Sequence, residues 1–227
     1  MDNMPCFAYG EQETAYLAQR DPVLGAAIRE IGLIHRPVMP DLFIALINAV
    51  VGQQISTKAQ ATVWGRMVAQ FSPMSPQVIA VATVEALQSC GITFRKAMHI
   101  REIAAAVLSG ELDLDGLQAL PDHEVCARLV QLKGIGAWTA EMLMTFSMQR
   151  PNIMSIDDLA ILRGLRMLYR HRKITPALFA KYKRRYSPHA TVASLYLWAI
   201  AGGACPRLTD PASKKKLKNT KRTVRAN

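Results

Sequence analysis

With 227 residues, half of them hydrophobic and a fifth charged, the chain can bury a sizeable core, which excludes both a staple-dependent miniprotein and a disordered chain. Cys6, Cys90, Cys126 and Cys205 are scattered, with no Cys-x-x-Cys pair, so neither a zinc site nor an iron–sulfur cluster is suggested. The net charge of +11 is segregated: residues 1–158 carry 11 bases against 16 acids, residues 159–209 carry ten bases and no acid, and residues 210–227 carry seven bases and one acid. A field divided in this way points to a polyanionic partner, because Lys and Arg neutralise phosphates and release counterions; a solvated basic face is the competing reading.

Taken in chain order, the periodic segments read as helices. Pro40-Asp41-Leu42 starts one, with Phe43, Leu46, Ile47 and Val50 on a single stripe. Ser56 can cap the next, with Ala59, Val63, Met67 and Val68 inward. A short helix over 83–88 stops near Gly91, and a longer one over 94–108 has Ala97, Ile100, Ala104 and Val107 in register. Further helices are expected over about 122–132, 137–148, 158–169, 176–185 and 189–201. No run of alternating β-branched residues suggests a strand, so the fold class is all-α. The longest uncharged stretch, residues 188–206, contains Gly202 and Gly203 and has a proline at each end, so it reads as a buried helix rather than a membrane span. Met1-Asp2-Asn3 is not a signal-peptide start, and the chain reads as soluble and intracellular. The lysine-rich run from Lys214 onward reads as a mobile basic arm, serving either DNA attachment or solubility.

Two segments carry chemistry. In Leu132-Lys133-Gly134-Ile135-Gly136-Ala137-Trp138-Thr139-Ala140, two glycines around one aliphatic residue allow a tight hairpin between helices, with Ile135 plugged inward and the backbone bare outside. Bare N–H groups at the start of the following helix can grip a phosphate without a basic side chain. Some twenty residues on comes Ser155-Ile156-Asp157-Asp158-Leu159-Ala160. An acidic pair at a helix start is ordinarily a cap, yet Asp158 is the last carboxylate before 51 acid-free residues. A carboxylate beside a phosphate-seeking surface repels its ligand unless it is used, and stabilising positive charge that develops on a sugar is such a use.

Together these segments resemble the helix-hairpin-helix base-excision DNA glycosylases (the HhH-GPD superfamily). Val51-Gly52-Gln53-Gln54-Ile55-Ser56, Lys58-Ala59 and the late Leu195-Tyr196-Leu197-Trp198 are similar to its AlkA-type 3-methyladenine branch, without that branch's N-terminal sheet domain. The resemblance implies a two-lobed helical fold with the active site between the lobes. The N-terminal helices (1–40) pack with the C-terminal lobe (139–206), a central lobe (41–138) ends in the hairpin, and a basic tail follows (207–227). It assigns Asp158 as the catalytic carboxylate and leaves Asp157 as a cap. Trp138, at the position where lyase-active relatives carry a Schiff-base lysine, Met142, where a tyrosine is common, and Trp198 would line the base pocket. Gln54 would wedge into the duplex, Lys133, Gly134, Ile135 and Gly136 would hold DNA, and the carbonyls of Val130, Leu132 and Ile135 would hold a structural sodium or potassium ion. No other cofactor is implied.

The reaction so implied is monofunctional excision of alkylated purines, such as 3-methyladenine and 7-methylguanine, from damaged double-stranded DNA by a monomer. Two alternatives stand beside it: a noncatalytic DNA-binding module, disfavoured by Asp158, and a glycosylase with lyase activity, disfavoured by Trp138 and kept open by Lys133.

Overall fold

The computed structural model describes residues 5–212. Among them are twelve α-helices, one 3-10 turn (Gly116–Ala119) and no strand, so the chain is all-α. The tail from Lys214 lies outside the described residues.

The helices form where capping and apolar spacing agree. Asp41 caps α3 (Leu42–Gly52) through Ile44, and Ser56 caps α4 (Thr57–Gln70) through Ala59. Thr93 caps α7 (Phe94–Leu108). Between α4 and α7 lie α5 (Pro76–Val81), which the sequence reading missed, and α6 (Val84–Ser89). With α8 (Asp122–Leu129) and α9 (Ala137–Phe146) these enclose a core built on Leu46, Ile47, Met67, Ile79, Ile100 and Leu129. The buried stripe of α4 is narrower than expected. Val63 and Met67 face the core, whereas Ala59 and Val68 are exposed, because the helix rests on its neighbours along one i, i+4 row.

A second core joins the chain's beginning to its end. It gathers Leu17 of α1 (Glu11–Arg20), Leu24 of α2 (Pro22–Ile31), Leu165 of α10 (Leu159–Tyr169), Tyr186 of α11 (Pro176–Tyr186) and Leu197 of α12 (Ala190–Ala201). The chain passes from the first core to the second between Ile153 and Met154, so α9, beyond residue 138, belongs to the first. The uncharged stretch becomes α12, a helix buried on nearly all sides, and no helix among the described residues is long and apolar enough to cross a membrane.

Two contacts set the second lobe. Asp21, fully buried, caps α2 through Val23 and Leu24 and accepts hydrogen bonds from Tyr169 Oη and Arg185 Nη1, both at 2.7 Å, which ties α2 to α10 and α11. Burial pushes the Tyr169 phenol far up, so it stays a donor. Gly164 lets α10 lie against α12, since a Cβ there would overlap the Leu197 carbonyl. That contact fixes the spacing between Asp158, at the head of α10, and Trp198, one residue beyond Leu197.

Candidate active site

Between the two cores opens a cleft of about 1150 Å³, lined from α3 and its following loop, the hairpin, α9, Asp158, α12 and the strap 34–39. The sequence-predicted Gln54, Gly134, Gly136, Trp138, Met142, Asp158 and Trp198 all border it.

The hairpin follows from its glycines. Gly134 has φ +87°, a conformation that side chains resist, and a Cβ there would meet His99 Nδ1 at 2.6 Å. Gly136 is extended and has open space around it. Ile135 is buried in the first core, as a plug should be. The helix before the hairpin ends at Leu129 rather than near 132, because 130–136 make the turn. Among the described residues no side chain caps α9, so its first amides stay bare beside the cleft-lining Gly136 and Trp138, the arrangement that binds an anion. Lys133 is not among the residues lining the cleft and forms an exposed ion pair with Glu102 at 2.9 Å.

Asp158 is only 7% exposed. One of its oxygens, Oδ1, accepts the amides of Ala160 and Ile161, each at 2.9 Å, so Asp158 itself is the N-cap of α10. This corrects the expectation that Asp157 would cap. The other oxygen, Oδ2, accepts Trp138 Nε1 at 3.0 Å. The indole, 46% exposed, is therefore oriented by the carboxylate while the rest of its ring faces the cleft. Across the cleft Trp198 is partly buried against Phe146, ring centroids 5.5 Å apart, and Arg36 lies over the Phe146 face at 4.9 Å. Behind Asp158, Glu141 is held above the usual carboxylate range, mainly by burial.

The sequence reading missed Arg36, Gln53 and Lys96. Gln53 Nε2 donates to the Gly134 carbonyl at 2.6 Å, and Lys96 Nζ donates to the carbonyls of Val51 (2.9 Å) and Gln53 (2.6 Å). For Lys96 a signal existed: a cation in the first turn of a helix sits against the macrodipole and calls for another partner. Arg163 and Arg166, two of the ten bases of the acid-free stretch that reads as facing either a polyanion or solvent, converge on Asp210, with Arg166 forming a two-pronged pair.

The geometry is an apolar, tryptophan-lined cleft with one fixed carboxylate at its base and a bare helix start at its rim. A family model described as HhH-GPD superfamily base excision DNA repair protein matches residues 47–188. The DNA-3-methyladenine glycosylase 1 of Schizosaccharomyces pombe is 36% identical over 178 residues, 75% of this chain and 76% of that protein. A crystal structure of a DNA-3-methyladenine glycosidase from Bacillus halodurans matches with TM-score 0.80 at 32% identity, over 90% of this chain and 95% of that one. A Schizosaccharomyces pombe 3-methyladenine DNA glycosylase, solved in complex with abasic DNA, matches with TM-score 0.75 at 28% identity, over 90% of this chain and all of that one. By its hairpin, its carboxylate and these likenesses, the chain belongs to the HhH-GPD superfamily of base excision DNA repair proteins.

Proposed function

We propose that this protein excises alkylated purines, of the 3-methyladenine and 7-methylguanine class, from damaged duplex DNA by hydrolysing the N-glycosidic bond, and leaves the strand uncut. The observation that carries this reading is Asp158, a buried carboxylate held by three N–H donors at the base of a cleft whose lining, among the described residues, contains two tryptophans and no lysine. The names of its relatives, which specify 3-methyladenine, support the first of these substrates.

A base in the duplex hides its glycosidic bond, so the nucleotide must rotate out, at a cost that is least for a damaged pair. The bare amides of α9 and the hairpin backbone hold the DNA backbone while it does so. A purine alkylated at N3 or N7 is cationic. The exposed Trp138 face can take it, at a gain of about 0.5–2 kcal/mol, whereas the Phe146 face already carries the Arg36 guanidinium. The charge weakens the bond to the sugar, so the base departs as a neutral leaving group without a proton donor. Asp158 stabilises the oxocarbenium-like sugar and orients the water whose oxygen attaches to C1′, the water's proton passing to solvent.

A lyase would need an amine at the sugar; Lys133, paired with Glu102 outside the cleft, supplies none. The carbonyls of Val130, Leu132 and Ile135 would hold a sodium or potassium ion. Neutral oxygens suit such an ion, and the Leu132 oxygen, which accepts the Ile135 amide at 3.0 Å, keeps a second lone pair for it. The ion would add positive charge where the backbone meets a phosphate.

The test is chromatography of bases freed from methylated duplex DNA, with the strands run before and after alkali. Free 3-methyladenine and 7-methylguanine, with breaks only after alkali, are expected. Breaks without alkali, or no free base from DNA that the protein binds, would overturn the reading.

A further inference from the structure

The loop that follows α3 is held more tightly than its exposure suggests. Gln54 borders the cleft in a left-handed backbone conformation, φ +57°, which a residue with a Cβ keeps only where its neighbours enforce it. Its own side chain takes no hydrogen bond from the described residues. The restraint comes from the residues before it. Lys96 Nζ bridges the carbonyls of Val51 and Gln53, two acceptors at the negative end of α3 that would otherwise be orphaned. Gln53 Nε2 then ties the loop to the Gly134 carbonyl. On the remaining side, Gly52 lies against Gln60, where a Cβ would come within 2.5 Å of the amide, and Gln60 is itself held by Asn48 Oδ1 at 2.7 Å. Lys96 is half-buried beneath this loop and is not among the residues lining the cleft.

We infer that Lys96 is a positioning residue for excision: its ammonium fixes the backbone that presents Gln54 and, through Gln53, locks that wedge to the phosphate-gripping hairpin so that both enter DNA as one rigid unit. The inference rests on the reading of Gln54 as the residue that fills the vacated stack. An ammonium suits the geometry, since it has several protons to share between two carbonyls and a positive charge to meet the negative ends of their dipoles.

The test is a double-mutant cycle of Lys96→Met and Gln54→Ala in the full-length protein. The probe is a duplex with a tetrahydrofuran abasic analogue opposite 2-aminopurine, whose fluorescence reads insertion into the gap; excision from methylated duplex DNA is followed in parallel. Each single substitution is expected to reduce insertion and excision on the order of tenfold, and the double substitution to be no worse than about twofold beyond either, because a misplaced wedge and an absent one are the same defect. The salt dependence of DNA binding should keep its slope in Lys96→Met, because Lys96 neutralises no phosphate. Effects that multiply, wild-type insertion in Lys96→Met, or a shallower salt slope would each overturn the inference. If Gln54→Ala alone is silent, the wedge reading fails and takes this inference with it. Should Lys96→Met melt too low to assay, Lys96→Gln, which removes the charge and shortens the reach to the two carbonyls, carries the same cycle with the same expected loss, and wild-type insertion in it would overturn the inference.

Discussion

The two walls of the cleft are made of different material. The hairpin wall is backbone: Gly134 in a positive-φ turn, the bare amides of α9, and the carbonyls gathered by Gln53 and Lys96. The opposite wall is side chain: Asp158 at the head of α10 and Trp198 on α12, spaced by the Gly164 contact. Trp138 joins them, rooted in the hairpin helix and hydrogen-bonded to the carboxylate. On the proposed function, the division separates holding from chemistry. A backbone wall binds any phosphate regardless of sequence, whereas a side-chain wall can be changed at one atom without loosening the grip.

The largest effect that would test this division is expected at the hairpin. Gly134→Ala forces a side chain into φ +87° and onto His99, at a cost of about 1–3 kcal/mol, and re-aims the amides. Affinity for duplex DNA should fall at least tenfold, while excision by the DNA-bound fraction, measured in single turnover at saturating enzyme, stays near wild type. A fall in bound-state excision as large as the fall in affinity would break the division. Trp138→Phe probes the joint and should do less. The ring remains but the N–H to Asp158 is lost, a charge-assisted bond worth about 1.5–3 kcal/mol, so excision should drop by on the order of tenfold without change in binding to undamaged duplex.

The smallest effect lies behind the side-chain wall. The Arg166 guanidinium holds the Asp210 carboxyl at about 2, below its ordinary 3.8, because it hydrogen-bonds the charged form. A depressed pKa stabilises the fold above the unfolded value and ceases to as pH falls from 3.8 towards 2. The melting-temperature gap between wild type and Asp210→Asn should therefore be small, constant above about pH 4.5 and closed near pH 2.

What the sequence made legible follows the same division. Hairpin, plug and helix starts were readable because glycine spacing and capping are local: Gly134, Ile135, Asp41 and Ser56 behave as their neighbours dictate. Asp158 is legible as the last acid before a basic run, but which of Asp157 and Asp158 caps α10 is not, since two adjacent acids look alike until one helix register is fixed. Arg36 and the Asp210 clamp were illegible, because their partners Phe146 and Arg166 lie 110 and 44 positions away and only packing brings them together. The exposed side of α4 was misjudged for a similar reason, since the width of a buried stripe depends on the neighbour laid against it.

The most direct test of the central claim, that Asp158 does the chemistry while the hairpin does the holding, is Asp158→Asn assayed for DNA affinity and single-turnover release of 3-methyladenine in one preparation. Asparagine keeps the shape but loses the charge, and its amide N–H groups must face either the α10 amides or the Trp138 indole, so the melting temperature is recorded alongside. The account predicts that release falls by on the order of a hundred- to a thousandfold while affinity stays within about fivefold. Release at the wild-type rate, or release and affinity lost together in a protein that still melts normally, would contradict it.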